Sequence, residues 1–303
     1  MNRVRVFQVD AFTQQPFSGN PAGVVLDAER LDAHQMQLIA RELNNGDTAF
    51  LLPADGSDHD LRVRFFTPRS EVGFVGHATV AAHAVLADLG LGVRRLQKQR
   101  NGIVAIERVE SSQGPRFTFS QPAPVLRGPI DAALRGALLA ALGLAAADLD
   151  ERCPATLAGE HSTRHLIAVR AGSVLARLQP DLARLAALTA AGAAPGTFVY
   201  TLHPTLGECD TEARMFCPAL GIAEDPVSGN AHAMLAALLC RQQLLPGGAV
   251  RGSFRARQGH HMGRAGELQV DVHYQNGALH TVSVTGAAVV VFATSITLAE
   301  KAA

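Results

Sequence analysis

Over residues 32–43 the apolar positions Met36, Ile39, Ala40 and Leu43 fall at i, i+3, i+4 and i+7, one stripe of an amphipathic helix. Asp32 stands where it caps the first turn, and Gln35 three positions on completes a capping box. Asn44-Asn45-Gly46 ends this helix, because Asn and Gly enter the left-handed conformation at low cost. Asp47 then opens a strand, Thr48-Ala49-Phe50-Leu51-Leu52. Two further helices are patterned differently. Residues 78–89 are apolar nearly all round, with Thr79, His83 and Asp88 the exceptions, and residues 231–240 are apolar apart from His232. A helix with no polar face is enclosed by protein. Residues 63–66, 117–119, 268–272 and 281–284 alternate or are β-branched, which predicts strands. Asn101-Gly102 and Asn276-Gly277 lie between such runs and predict hairpins. Ala/Leu-rich stretches over about 131–149 and over 181–188 predict packed surface helices. Residues 121–129, with prolines at 122, 124 and 129, interrupt the pattern and read as an interdomain linker.

Composition bounds the class. A chain of 303 residues has two-domain length, and the proline-rich break suggests an N-terminal lobe over 1–121 and a C-terminal lobe over 122–303. The last strand is free to return to the first lobe. With 48% hydrophobic and 18% charged residues the chain can bury a core, which excludes disorder. Lys plus Arg equals Asp plus Glu at 27 each. Without a basic excess there is no electrostatic footprint for nucleic acid, and with no Trp and two Tyr there is no stacking platform for single strands. No apolar run reaches the roughly 20 residues that span a bilayer, and the start lacks a signal-peptide core. Four cysteines with no Cys-x-x-Cys pair point to a reducing compartment. The expectation is a cytoplasmic protein that handles small molecules, with strand edges that would allow a homodimer.

The two apolar helices lie in matching contexts. Phe66-Thr67-Pro68 precedes Glu71 and Gly76-His77-Ala78, and Phe216-Cys217-Pro218 precedes Glu224 and Gly229-Asn230-Ala231. The offset is 150 at the prolines and 153 at the glycines, about half the chain, as a duplication would give. Two pseudo-symmetric lobes of this kind are expected to point helix N-termini into one cleft. Their unpaired N–H groups and dipoles would hold a carboxylate or phosphate without Lys or Arg. Gly76 and Gly229 would let such an anion approach the backbone.

Four side chains fall near these helix starts. Asp47 follows the first helix, His77 begins the first apolar helix, Asp225 precedes the second, and Asn230 occupies the position of His77 in the repeat. The helix dipole disfavours imidazolium at residue 77, so a neutral His77 is expected. Each also has a plainer reading: Asp47 as a turn residue, His77 bonded to backbone, Asp225-Pro226 as a turn, Asn230 as a cap. No metal site is expected. His161 and His165 flank an Arg, His260-His261 are merely adjacent, and His-Glu-x-x-His is absent. No Walker loop, Gly-x-Gly-x-x-Gly or Gly-x-Ser-x-Gly occurs, so no cofactor is expected. Thr67 at the mirror position of Cys217 leaves a two-thiol racemase unsupported.

These motifs resemble the PhzF-like isomerases of phenazine biosynthesis, a family with the diaminopimelate epimerase fold. Val9-Asp10-Ala11-Phe12, Phe17-Ser18-Gly19-Asn20-Pro21-Ala22, Thr48-Ala49-Phe50, Phe66-Thr67-Pro68 and Gly76-His77-Ala78 carry the resemblance in the first half. Arg214-Met215-Phe216, the run from Glu224 to Gly229, Gln258-Gly259 and Met262-Gly263-Arg264 carry it in the second. It implies an α+β fold of two pseudo-symmetric lobes, each a β-barrel-like sheet wrapped around a central apolar helix, with the site between them. It also implies a cofactor-independent isomerase or epimerase acting on a small carboxylate-bearing substrate. The acid that shuttles the proton is normally Glu before Thr-x-Phe, and here Asp47 stands there. His77 and Asp225 match the family's Gly-His and Glu-Asp-Pro, while Asn230 replaces a Ser. Asn20, Gly76, Gly229 and Asn230 are the implied substrate-binding residues. The shorter Asp47 carboxylate and the change at Asn230 motivate one alternative, a non-catalytic carboxylate-binding protein on the same fold.

Overall fold

In the computed structural model, which describes residues 2–298 except 93, 161, 191–193, 206 and 246–251, contacts divide the chain into two compact units. The first is Met1–Ser120 with Thr285–Ala303, and the second is Gln121–Val284.

The first unit contains β1 (Asn2–Ala11), β2 (Asn20–Val25), α1 (Ala33–Leu43), β3 (Asp47–Pro53), β4 (Leu61–Phe66), β5 (Glu71–Val72), α2 (Gly76–Asp88), β6 (Leu96–Gln99), β7 (Gly102–Ser111) and most of β8 (Gly114–Pro122). The capping box forms as expected: the Asp32 carboxylate accepts from the Gln35 N–H at 2.8 Å, and the Gln35 side chain accepts from the Asp32 N–H at 3.1 Å. Asn44 ends α1 in the left-handed conformation, φ 51°. Met36, Ile39 and Ala40 of α1 then pack with Val4, Val6, Val25, Phe50 and Phe66 in one core. β2 runs antiparallel to β1 and parallel to β3, with α1 as the crossover. β4 pairs antiparallel with β3 and β5, and parallel with β6.

α2 is buried continuously from Gly76 to Leu86, so it lacks the polar face of a surface helix. It packs on β1, β2 and β3 and on the final strand of the chain. Its polar exceptions are paired inside. His83 Nε2 lies 3.1 Å from Gln97 Oε1, the Gln97 amide donates to Thr79 Oγ1 and Gln99 Oε1, and the Thr79 hydroxyl donates to the Val75 carbonyl at 2.9 Å. This buried chain satisfies groups that would otherwise cost free energy, and it ties the start of α2 to β6.

The second unit contains β9 (Leu126–Pro129), α3 (Ala132–Leu142), β10 (Thr156–Ala158), β11 (Arg164–Ala168), α4 (Gly172–Ala176), α5 (Leu182–Ala190), β12 (Gly196–Thr201), β13 (Thr211–Cys217), β14 (Ile222–Asp225), α6 (Gly229–Arg241), β15 (Ser253–Gln258), β16 (Gly266–Gln275) and most of β17 (Ala278–Gly286). Its pairing repeats that of the first unit. β10 and β11 are antiparallel, β11 and β12 are parallel across a helical crossover, β13 is antiparallel to β12 and β14, and β15 returns parallel to β13. α6 is buried from Ala231 to Leu239. β18 (Ala288–Leu298) ends the chain in the first unit, antiparallel to β1. The whole is an α+β fold.

Two local expectations need correction. Residues 121–129 are mostly strand rather than a free linker: β8 continues to Pro122 and β9 covers Leu126–Pro129 in pairing with β10. The prolines sit at strand ends or in the break, where a missing N–H costs no ladder bond. The helix expected over 131–149 stops at Leu142, because Gly143 adopts φ 70° and turns the chain.

Candidate active site

Asp47 is the first residue of β3, set beside Ala22 in the parallel β2/β3 ladder. Asn20, buried, opens β2 opposite Ala11 of β1. His77 is the second residue of α2, whose packing on β1, β2 and β3 carries it to Asp47. His77 Nε2 lies 3.8 Å from Asp47 Oδ2, beyond hydrogen-bond reach, and that nitrogen is buried without a hydrogen-bond partner. The Asp47 side chain is 16% exposed. Burial pushes the His77 pKa down to about 4, so the imidazole is neutral at physiological pH. Neutrality was expected from the helix dipole, and burial is the cause that dominates. The N-cap of α2 is Val75, whose side chain makes no cap bond to the first N–H groups of the helix. The structure thus brings Asp47, His77, Gly76 and Asn20 into the first unit.

Asp225, Gly229 and Asn230 gather at the start of α6 in the second unit. Gln258 holds their turn: its amide donates to the Asp225 carbonyl at 2.7 Å, and its Oε1 accepts from the Ser228 N–H at 3.1 Å. Ser228 is the N-cap, its hydroxyl accepting from the Ala231 N–H, so Asn230 lies inside the first turn and is not the cap.

The repeat reaches deeper than its sequence signature. In the first unit Arg64 grips Glu71 in a two-pronged ion pair at 2.7 and 2.8 Å, and its guanidinium lies 5.1 Å from the Phe66 ring centroid. In the second unit Arg214 grips Glu224 at 2.9 and 2.8 Å and lies 5.1 Å from the Phe216 ring. Each pair fixes the short strand that feeds its apolar helix, β5 into α2 and β14 into α6. Asp225 directly follows one member, so the pair holds its backbone. In the sequence Arg214 stands out only within the motif Arg214-Met215-Phe216, and nothing there links either arginine to its acid; the shared signal is Arg-x-Phe-x-Pro in both halves.

The acid is not duplicated. Strand registers match Thr48 opposite Phe66 to Thr197 opposite Phe216, which sets Gly196 at the place of Asp47. A Cβ on Gly196 would lie 2.7 Å from Cys217 Sγ, so that position has no room for a side chain. Cys217 itself is buried and its thiol is pushed up to about 12 by desolvation, which removes it as a base. Of the histidines weighed as ligands, His161 lies outside the described residues, and His165 is buried in β11 with its pKa pushed down to about 4 by desolvation.

A family model described as phenazine biosynthesis-like protein matches residues 9–294. The uncharacterised isomerase YddE of Escherichia coli O157:H7 is 39% identical over 293 residues, covering 95% of this chain and 96% of that protein. The PhzF-family phenazine biosynthesis protein of Bacillus anthracis superposes with a TM-score of 0.86 at 25% identity, covering 98% of this chain and 100% of that one. A hydroxyproline epimerase from Agrobacterium vitis shares the fold, with a TM-score of 0.64 at 13% identity, covering 98% and 91%.

Proposed function

Because the chain belongs to the phenazine biosynthesis-like protein family and is an isomerase, we propose that it moves a proton between carbons of a small carboxylate-bearing substrate, with Asp47 as the group that takes and returns the proton. The observation that carries this reading is the pairing of one carboxylate, Asp47, with one neutral imidazole, His77, whose Nε2 has no hydrogen-bond partner, and the absence of an acid at the matching register of the second unit. A racemase working with two opposed bases needs one on each side of the carbon. A shuttle needs a single base that keeps its proton until it is returned.

In this mechanism the Asp47 carboxylate accepts the proton from a carbon next to an electron sink, and the C–H electron pair moves into that sink. The neutral His77 Nε2 hydrogen-bonds the group on which charge develops, and a buried donor of this kind stabilises charge without reorganising. The proton then returns from Asp47 to a different carbon, or to the other face of the same one, and the electron pair closes the new C–H bond. Asn20 and the N–H groups at Gly76, in the unit that carries Asp47 and His77, hold the substrate carboxylate. No cofactor takes part.

The test is solvent exchange. In heavy water, a panel of cyclic and amino-acid carboxylates is scanned for deuterium incorporation or isomerisation. Asp47→Asn is expected to lower the rate ~10²–10⁴-fold, while Asp47→Glu, which keeps the acid, retains measurable turnover. Undiminished exchange in Asp47→Asn, or saturable binding that never leads to exchange, would overturn the reading.

A further inference from the structure

Glu212 lies on β13 with no exposed surface, and one of its two oxygens is accounted for: Oε2 accepts from the Thr205 N–H at 2.9 Å and from its hydroxyl at 3.3 Å. Gly172 makes room for that contact, since a Cβ there would lie 2.7 Å from Oε2 and 2.8 Å from Thr205 Oγ1. The other oxygen, Oε1, faces two imidazoles. His260 Nε2 is 3.1 Å away and His261 Nε2 is 3.5 Å away. All three atoms are buried, and none makes a hydrogen bond of acceptable geometry. They converge within 4.8 Å of one another.

We propose that Glu212, His260 and His261 bind one divalent transition-metal cation of the zinc class. An ion held tetrahedrally at ~2.0–2.1 Å from each ligand sets those ligand atoms ~3.3 Å apart, and the observed 3.1 and 3.5 Å bracket that spacing. Two imidazoles and one carboxylate are a set that zinc accepts, with a fourth position left for water. The Thr205 bonds to Oε2 supply the outer support that orients a carboxylate ligand.

The turn that carries the histidines is built before any ion arrives. The parallel β13/β15 register sets Glu212 beside Arg257, and the chain reaches His260 three residues later. The backbone N–H groups of Met262 and Arg264 donate to the Gly259 carbonyl at 3.1 and 3.0 Å, and the Gly263 N–H donates to the His260 carbonyl at 3.1 Å. Gly259 has φ 86°, and a Cβ there would meet the Arg264 and Pro226 carbonyls at 2.3 and 2.7 Å. An ion here ties this turn to β13. Through Gln258, two residues before His260, it steadies the Asp225–Ser228 turn. The ion is a structural support in this account and takes no part in the proton transfer, so its presence can be measured whether or not Asp47 acts as proposed.

The test uses the full chain without a histidine tag, stripped with chelator and titrated with zinc chloride by calorimetry. One equivalent per chain is expected to bind. Glu212→Gln should weaken it at least tenfold, the His260→Ala/His261→Ala double variant should abolish it, and Thr205→Val should weaken it about tenfold. His34→Ala, on the exposed side of α1, should leave it unchanged. Absence of a stoichiometric zinc equivalent, or its persistence in the double variant, overturns the proposal. Should the double variant not fold, cobalt(II) in the native chain decides: intense visible bands of a four-coordinate ion support the site, and the weak bands of a six-coordinate ion overturn it.

Discussion

A Cβ on Gly76 would lie 2.7 Å from the ζ carbon of the Phe119 ring and 3.0 Å from its ε1 carbon. Phe119 is fully buried, so its ring has no free direction in which to yield. The missing side chain at residue 76 thus has a packing cause, beside the anion-binding role expected from the sequence. Gly76→Ala is expected to cost about 1–3 kcal/mol by overpacking, read as a lower urea midpoint at unchanged slope. Adding Phe119→Leu should recover part of that loss. An alanine variant as stable as the parent would show that the ring moves aside freely. Asp47 and Gly196 make the converse point, since one register position holds the acid in one unit and excludes any side chain in the other.

At the scale of elements, the two Arg–Glu grips are one device at two depths. The Arg214 and Glu224 side chains are 10% and 14% exposed, and those of Arg64 and Glu71 are 29% and 28%. Arg214 is further committed to the Leu175 and Leu178 carbonyls at 3.1 Å each, so it also holds the end of α4. Removing one partner of a buried pair strands a charge, which costs about 3 kcal/mol or more, whereas a more exposed pair returns about 1 kcal/mol or less. Glu224→Gln should therefore lower the urea midpoint clearly more than Glu71→Gln, and equal losses would refute the difference in depth. What the sequence revealed at this scale follows from range. The capping box of α1, the apolar helices α2 and α6 and the Asn276-Gly277 hairpin are written within a dozen residues, and each formed. The proline-rich stretch hides its strand because β9, four residues ending in Pro129, is too short to show a period. Glu212 and His260 were not connected because 48 residues separate them and only the parallel β13/β15 pairing brings them together. The partners of Thr79 and His83 were hidden for the same reason, since Gln97 arrives on a separate strand.

Across the whole molecule, buried histidine sets the response to acid. Desolvation pushes the pKa of His77, His83 and His165 down to about 4 and that of His232 to about 3, whereas an unfolded chain holds histidine near 6.5. As pH falls below 6.5 the unfolded state takes up protons that the native state refuses, so stability must fall with pH through that window. The fall continues until the native groups titrate near pH 4, and each histidine of that kind contributes on the order of 3 kcal/mol when the window has been crossed. Paired carboxylates act in the same direction only at lower pH. Asp150, held down by Arg152, and Glu71, held down by Arg64, keep their stabilising charge until the carboxylate range is reached. The expected signature is a urea midpoint that is level above pH 7 and drops steeply between pH 6.5 and 4.5. His83→Gln keeps an amide in reach of Gln97 but carries no titrating group, so it should make that drop shallower even where it lowers stability at pH 7.5. A midpoint that stays level down to pH 5, or a slope untouched by His83→Gln, would mean that these imidazoles are reached by water and protonate in the folded chain.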